Sequence, residues 1–229
     1  MLRHAIALSA LLFTTAAGAQ VSGSAALVSD YRFRGISLSH EQPAAQVSVA
    51  YDATGGWYAG ALAASVKPER DSRAQLLAYL GVVRPLRSNL NWEAGVDYAT
   101  IAGDTGYAYP EAYLGLSNDH YSGRLYYARH YFGQNWPTLY AMLDRSWRIT
   151  DHLRVLAHLG LLRRNGAADY APSHYRVDAR AGVAMTWRDF HLQLFWTITR
   201  GSDAPRPFPY TADAHPARQR WGISVSRSW

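Results

Sequence analysis

Apolar residues recur at every second position along most of this chain. Tyr175 to Trp187 is the clearest stretch. Tyr175, Val177, Ala179, Ala181, Val183, Met185 and Trp187 share one parity; Arg176, Asp178, Arg180, Gly182, Ala184 and Thr186 share the other. A period of two is a β-strand with one greasy face. Leu90, Trp92, Ala94, Val96 and Tyr98 oppose Glu93, Gly95 and Asp97 in the same way. So do Ala45, Val47, Val49 and Tyr51 against Gln46, Ser48 and Asp52. Leu153, Val155, Ala157, Leu159 and Leu161 oppose Arg154, His158 and Gly160, and Leu192, Leu194, Trp196 and Ile198 oppose Gln193, Thr197 and Thr199. At the end of the sequence Trp221, Ile223, Val225 and Trp229 alternate with Arg220, Gly222, Ser224, Ser226 and Ser228. Arg227 interrupts that apolar face near the strand end, where a charge facing lipid costs about 0–1 kcal/mol instead of the ~2–4 kcal/mol of a bilayer midplane. Gln75–Val83 alternates weakly. Gly123–Phe132 puts Arg129 on its apolar parity, so its register is open.

About twelve such segments are separated by turn residues, and the connections alternate in length. Breaks near Thr54–Gly56, Pro85–Asn89, Asn118–Ser122, Thr150–His152 and Arg188–Asp189 are short. Those near Arg34–Gln42, Lys67–Asp71, Ala102–Tyr107, Gly133–Trp136, Arg164–Ser173 and Gly201–Pro216 are on average longer. The last of them carries Pro205, Pro207, Pro209 and Pro216, which cannot donate to a β-ladder. Short turns at one end, longer loops at the other and an even strand count describe an antiparallel, up-and-down transmembrane β-barrel. A soluble sandwich, the other all-β possibility, requires no such odd–even rhythm.

Composition sharpens this. The hydrophobic fraction is 48% yet mean hydropathy is −0.22, so apolar residues are dispersed among polar ones. Tyr (16) and Trp (8) are abundant, and both favour membrane interfaces. With no cysteine, disulfides, thiolate metal sites and cysteine nucleophiles are excluded. The net charge of +6 comes almost wholly from arginine, Lys67 being the only lysine. Arg3 and His4, the apolar run Ala5–Phe13 and Ala17-Gly18-Ala19 form a secretory signal with an A-x-A cleavage site. The expected organisation is a signal peptide over residues 1–19, removed on export, and an outer-membrane β-barrel over 20–229. A retained N-terminal anchor is the alternative.

Ser24–Ser37, reading SAALVSDYRFRGIS, closely resembles the opening strand and first loop of the TorF family of proteobacterial porins. Glu111–Ser117 (EAYLGLS) and Tyr126–Gly133 (YYARHYFG) also fit that family. Arg129-His130 departs from it, where the family tends to Pro and Asp. The resemblance implies an outer-membrane, porin-like protein whose substrates it leaves unassigned.

Sided strands place the polar parity inside the barrel. The expected lumen-lining residues are Asp30, Arg32, Gln46, Glu93, Asp97, Glu111, Asp144, Arg148, Arg154, His158, Arg176, Asp178, Arg180 and Gln193. They either line a small pore and bias which solutes pass, or form an ion-pair network that plugs the cylinder. The arginine surplus points to a weak anion preference. Three functional classes follow: a passive channel for small polar solutes, a closed structural or surface-interaction barrel, and a lipid-modifying barrel enzyme. The third needs a nucleophile beside a histidine. Ser39-His40 and Ser173-His174 are adjacent residues that point to opposite faces of a strand, and no His-Ser-Asn motif occurs. His152 and His158 lie about 20 Å apart on one strand face, too far for one metal. No catalytic residue, cofactor or metal is expected, and no nucleic-acid module appears. The expected partners are outer-membrane lipid, small polar solutes, and the barrel-assembly machinery, which would read the strand ending in Trp229.

Overall fold

A computed structural model describes residues 19–67, 73–164, 175–201 and 219–229. The expected signal peptide, except for Ala19, lies outside these residues. So do Ser173-His174, the four prolines between Gly201 and Gln219, and most of the expected loop after Lys67.

The alternating segments form strands β1 (Gln20–Val28), β4 (Ala44–Asp52), β5 (Trp57–Val66), β6 (Arg73–Arg87), β7 (Leu90–Ile101), β8 (Asp104–Ser117) and β9 (Tyr121–Ala128). They continue as β10 (Thr138–Arg148), β11 (Leu153–Arg164), β12 (Tyr175–Trp187), β13 (Phe190–Gly201) and β14 (Gln219–Ser228). These twelve strands close into one antiparallel barrel, each paired with its neighbours in the sequence and β14 paired back onto β1. The remaining pair, β2 (Arg32–Phe33) and β3 (Ile36–Ser37), makes a separate hairpin inside the first long connection.

Period-two alternation resolves into an outer and an inner face. Outward residues such as Val21, Leu27, Val96, Leu114, Leu159 and Ile223 are exposed, while the opposite parity is buried. Exposed aromatics gather near the short turns: Tyr51, Trp57, Trp92, Tyr121, Trp147, Trp187, Phe190 and Trp229. A second set, Tyr98, Tyr127, Tyr175 and Trp221, lies towards the other end. From Trp221 to Trp229 is about 26 Å along the strand, or about 20 Å along the axis at a tilt near 40°, close to the height of an outer-membrane apolar band. Arg227 sits at the short-turn end, with Asp189 3.3 Å away.

Barrel closure depends on one small residue. Gly23 and Trp229 exchange backbone hydrogen bonds at 3.0 and 3.1 Å, and the indole lies so close that a Cβ on Gly23 would meet it at 2.7 Å.

Two expectations change. The break at Ala102–Tyr107 is a two-residue turn, Ala102-Gly103, because Gly103 takes a left-handed φ of 78° and β8 begins at once with Asp104. The ambiguous stretch Gly123–Phe132 is not one strand. β9 ends at Ala128, and Tyr131–Gly133 forms a 3-10 turn whose Tyr131 and Phe132 are buried inside. Arg129 is therefore beyond the strand and never faces lipid at mid-barrel. The weak alternation of Gln75–Val83 also has a cause: Leu77 and Tyr79 are inward residues, on a wall that is partly apolar.

Candidate functional site

The lumen is built around the β2–β3 hairpin, which folds into the barrel. Arg34-Gly35 is its two-residue turn, with φ of 48° and 80°. Turns of that kind favour glycine and asparagine, so an arginine here carries backbone strain of about 1 kcal/mol. The tip is held on all sides. Arg34 Nη1 and Nη2 donate to Glu111 Oε1 and Oε2 at 2.8 and 2.6 Å. The guanidinium also lies over the rings of Tyr140 (4.4 Å), Phe33 and Tyr126 (4.9 Å each) and Tyr131 (5.4 Å). Burial opposes its charge, but the Glu111 carboxylate outweighs that and holds its pKa above the ordinary value. Arg176 Nε donates to the Arg34 carbonyl at 2.9 Å, and Thr199 Oγ1 to the Gly35 carbonyl at 2.8 Å. Gly35 is required by space as well as φ: a Cβ there would meet Asp178 Cβ at 2.7 Å.

The base of the hairpin is tied as firmly. Asp30 accepts from Arg32 Nε (2.6 Å) and Ser37 Oγ (2.5 Å). Arg220 on β14 pairs with Glu41 at 2.5 Å. Tyr31 donates to Gln75 Oε1 at 2.8 Å, and burial pushes its phenol above the ordinary pKa, so it acts as a neutral donor.

Two further layers line the inside nearer the short turns. His158 stands between two carboxylates, Nδ1 2.8 Å from Asp144 Oδ1 and Nε2 3.0 Å from Asp178 Oδ1, with the Tyr140 hydroxyl 3.2 Å from Nε2. Beyond it Arg124 donates to Glu93 at 2.5 and 3.0 Å. The Tyr58 hydroxyl lies 2.9 Å from Glu93 and 2.7 Å from the Tyr113 hydroxyl. Interior aromatics lie on glycines directly opposite them: Tyr58 on Gly81, Tyr79 on Gly60, Tyr113 on Gly95, and Phe195 on Gly222.

The residues singled out from sequence fall as follows. Asp30, Gln46, Glu93, Asp97, Glu111, Arg176, Asp178 and Gln193 are buried on the inside, and Arg32, Asp144, His158 and Arg180 are partly buried there. Arg154 lies towards the short-turn mouth, 3.3 Å from Ser146 Oγ. Arg148 is different: its side chain is 61% exposed at the rim, 3.9 Å from Asp151. The expected lumen residues do not include Arg34, Arg124, Arg220 or the interior tyrosines. Asp30, Arg32 and Arg34 share one parity, and the Arg-Gly dipeptide between Phe33 and Ile36 is the signal that could have marked Arg34 as a turn tip. The tyrosines become visible only when the strand register puts each one opposite a glycine.

A cavity of about 180 Å³ opens beside the hairpin, bounded by Arg180, Gln193 and Thr197 on one side and by Leu62, Leu77 and Met142 on another. Among the described residues no group of His, Asp and Glu side chains is arranged to hold a metal.

A family model described as "Bacterial protein of unknown function (Gcw_chp)" matches residues 13–226. The chain belongs to that family. No curated protein matches the sequence of this Gcw_chp member. Its fold is similar to that of the NanC porin, with a TM-score of 0.59 at 11% identity over 91% of this chain and 99% of that one. The KdgM porin aligns at 0.55 and 11% over 91% and 99%. KdgM in complex with disordered oligogalacturonate aligns at 0.53 and 11% over 91% and 98%. At such identities the likeness is one of fold: the Gcw_chp chain is a closed twelve-strand barrel of porin architecture.

Proposed function

We propose that this chain is an outer-membrane channel for the passive diffusion of small polar solutes, with a weak preference for anions. The observation that carries the reading is the hairpin at Arg34-Gly35, seated inside a cylinder that is apolar outside and charged within. A barrel needing only to be solid can fill its lumen with barrel-wall side chains. An inward-folded segment that narrows the path and sets charges across it is what a selective channel requires. The TorF-type assignment rests on the Ser24–Ser37 block, which is this hairpin and the strand leading to it. On this reading residues 1–19 are removed during export. The short turns face the periplasm, the β14 strand ending in Trp229 is read by the assembly machinery, and the aromatic girdles contact lipid. We read the chain as a non-enzyme; Ser39 Oγ is engaged with the Gln42 carbonyl at 2.7 Å and with Asp30, not with His40.

The closed structural barrel remains the second reading, favoured by one specific observation: several interior charges are paired with one another, Arg34 with Glu111, Arg124 with Glu93, Arg220 with Glu41 and His158 with two aspartates. Planar-bilayer recording of the purified protein separates the two. Discrete current steps with a reversal potential shifted towards chloride are expected for the channel. No current at any voltage, from protein that migrates as a folded barrel, overturns it in favour of the closed barrel.

A further inference from the structure

Most of the polar groups bounding the cavity beside the hairpin are already engaged. Arg32 is tied to Asp30, Arg34 to Glu111, and Asp144 and Asp178 to His158. Arg180 is the exception among the cations. Among the described residues it makes no hydrogen bond or ion pair, and its guanidinium lies over the Phe195 ring at 5.4 Å. That ring lies on Gly222, where an added Cβ would meet it at 2.3 Å, and the Phe195 Cβ lies against Gly182 on the other side. The amide of Gln193, one strand further on, likewise makes no hydrogen bond among the described residues, and the register sets Gln193 opposite Ser224. One arc of wall, from β12 to β14, therefore offers a guanidinium and an amide to whatever enters.

The other side is of different chemistry. In the ring of twelve, β6 is the sixth neighbour of β12 and so lies directly across from it. There Leu77 and its cross-strand partner Leu62 face inwards and are buried, with Met142 beside the same space. Leucines on the inward parity of a polar barrel give the cavity a greasy wall facing a cationic one. On the remaining boundary Glu111 is paired with Arg34, and opposite it, between β7 and β8, stands Asp97, which makes no ion pair among the described residues. That rim repels a second negative charge. A cavity of about 150 Å³ accepts benzene, so the 180 Å³ here has room for one ring and one small polar group.

We propose that this chamber is a binding site for a small monocarboxylate with an apolar body. The carboxylate is taken by Arg180 and Gln193, and the body lies against Leu62 and Leu77. This deepens the channel reading by naming the solute class that the lumen retains. The acidic rim makes it a site for monoanions and not for dianions, and the apolar wall makes it poor for acetate.

The test uses the full mature protein, folded in detergent micelles, and saturation-transfer NMR with benzoate as the probe. Saturable binding with a dissociation constant of about 1 mM or tighter is expected, at least tenfold tighter than for benzyl alcohol or terephthalate. Arg180→Gln weakens benzoate at least tenfold, and Arg180→Lys recovers part of the loss. No saturable binding overturns the proposal. So does equal binding of benzyl alcohol, which would mean that charge is not read, or of terephthalate, which would mean that the rim does not select. Should Arg180→Gln fail to fold, Leu77→Asn on the opposite wall decides: a severalfold weakening is expected, and unchanged affinity counts against the site. Binding is read without conduction. A barrel that binds benzoate and passes no current keeps this inference and loses the channel; a conducting barrel indifferent to benzoate does the reverse.

Discussion

Replacing Arg34 by alanine removes the ion pair that ties the hairpin tip to β8. The side chain is buried, as is its partner, and both guanidinium nitrogens are spent on one carboxylate at 2.8 and 2.6 Å. Breaking a buried pair by deleting one member costs about 3–5 kcal/mol, chiefly because the other charge is stranded. Here the stranded group is Glu111, and Asp97 sits directly opposite it, so two carboxylates would face each other without their cation. One term runs the other way. Arg34 holds a φ of 48°, and a glycine there would recover about 1 kcal/mol of backbone strain. Arg34→Ala should therefore destabilise the folded barrel by about 3 kcal/mol, and Arg34→Gly by about 1 kcal/mol less. The Arg34→Met, Glu111→Leu double variant should lie closer to wild type than either single change, since no charge is left buried alone. Urea unfolding in lipid vesicles, followed by tryptophan fluorescence, measures each of them, including the Arg34→Met and Glu111→Leu singles that complete the cycle. Single-channel recording of the same variants should show larger current steps once the tip is released. A coupling energy below about 0.5 kcal/mol would refute the buried-pair account. Unchanged conductance from a destabilised Arg34→Ala would leave the pair intact as structure and remove the hairpin from the conduction path.

Other expectations follow from the same contacts. Gly81→Val drives a branched side chain into Tyr58, where even a Cβ comes within 2.5 Å of the ring; a loss of about 1–3 kcal/mol is expected in the same unfolding assay, and a neutral result would contradict the packing of interior rings on glycines. Gly23→Leu cannot coexist with the Trp229 indole at 2.7 Å, so it should lower the yield of heat-modifiable barrel on gels, and Trp229→Ala in the same chain should restore part of it. Arg180→Glu reverses the uncommitted interior cation and should move the reversal potential towards cations without loss of fold. Arg176→Glu should instead impair folding, because Arg176 holds the Arg34 carbonyl. Equal effects of these two substitutions would mean that the division between free and structural arginines is wrong.

The closed barrel was legible because lipid and lumen impose opposite chemistry on alternate residues. Slipping β12 by one position would turn Arg176, Asp178 and Arg180 to lipid, at about 2–4 kcal/mol for each arginine near mid-membrane, so a single sequence fixes its own faces. The strand count was legible for the same reason. Where the inner wall is itself apolar, as at Leu77 and Tyr79, the alternation fades and the sequence loses its voice. A strand end marked only by backbone conformation, as at Ala128, left no pattern for Arg129 to break. The two-residue turn at Ala102-Gly103 looked like a loop because the polar residues after it belong to β8, whose pairing with β7 shifts register between Ala99 and Ile101.

The interior was legible residue by residue but not as an arrangement. Parity places Arg34 inside or at a loop, and nothing more; that its partner is Glu111, 77 positions away, follows from the closure of the ring. The same holds for Arg180. Composition counts it as one more arginine, and only the register, which gives Asp178 to His158 and Phe195 to a pair of glycines, leaves it uncommitted. The sequence alone determined which residues meet lipid and which meet the lumen, because that choice is made locally, one position at a time, by the cost of a charge in hydrocarbon. The tertiary structure decided which interior charges cancel and which stay available, because that depends on distances across the cylinder that no local pattern encodes.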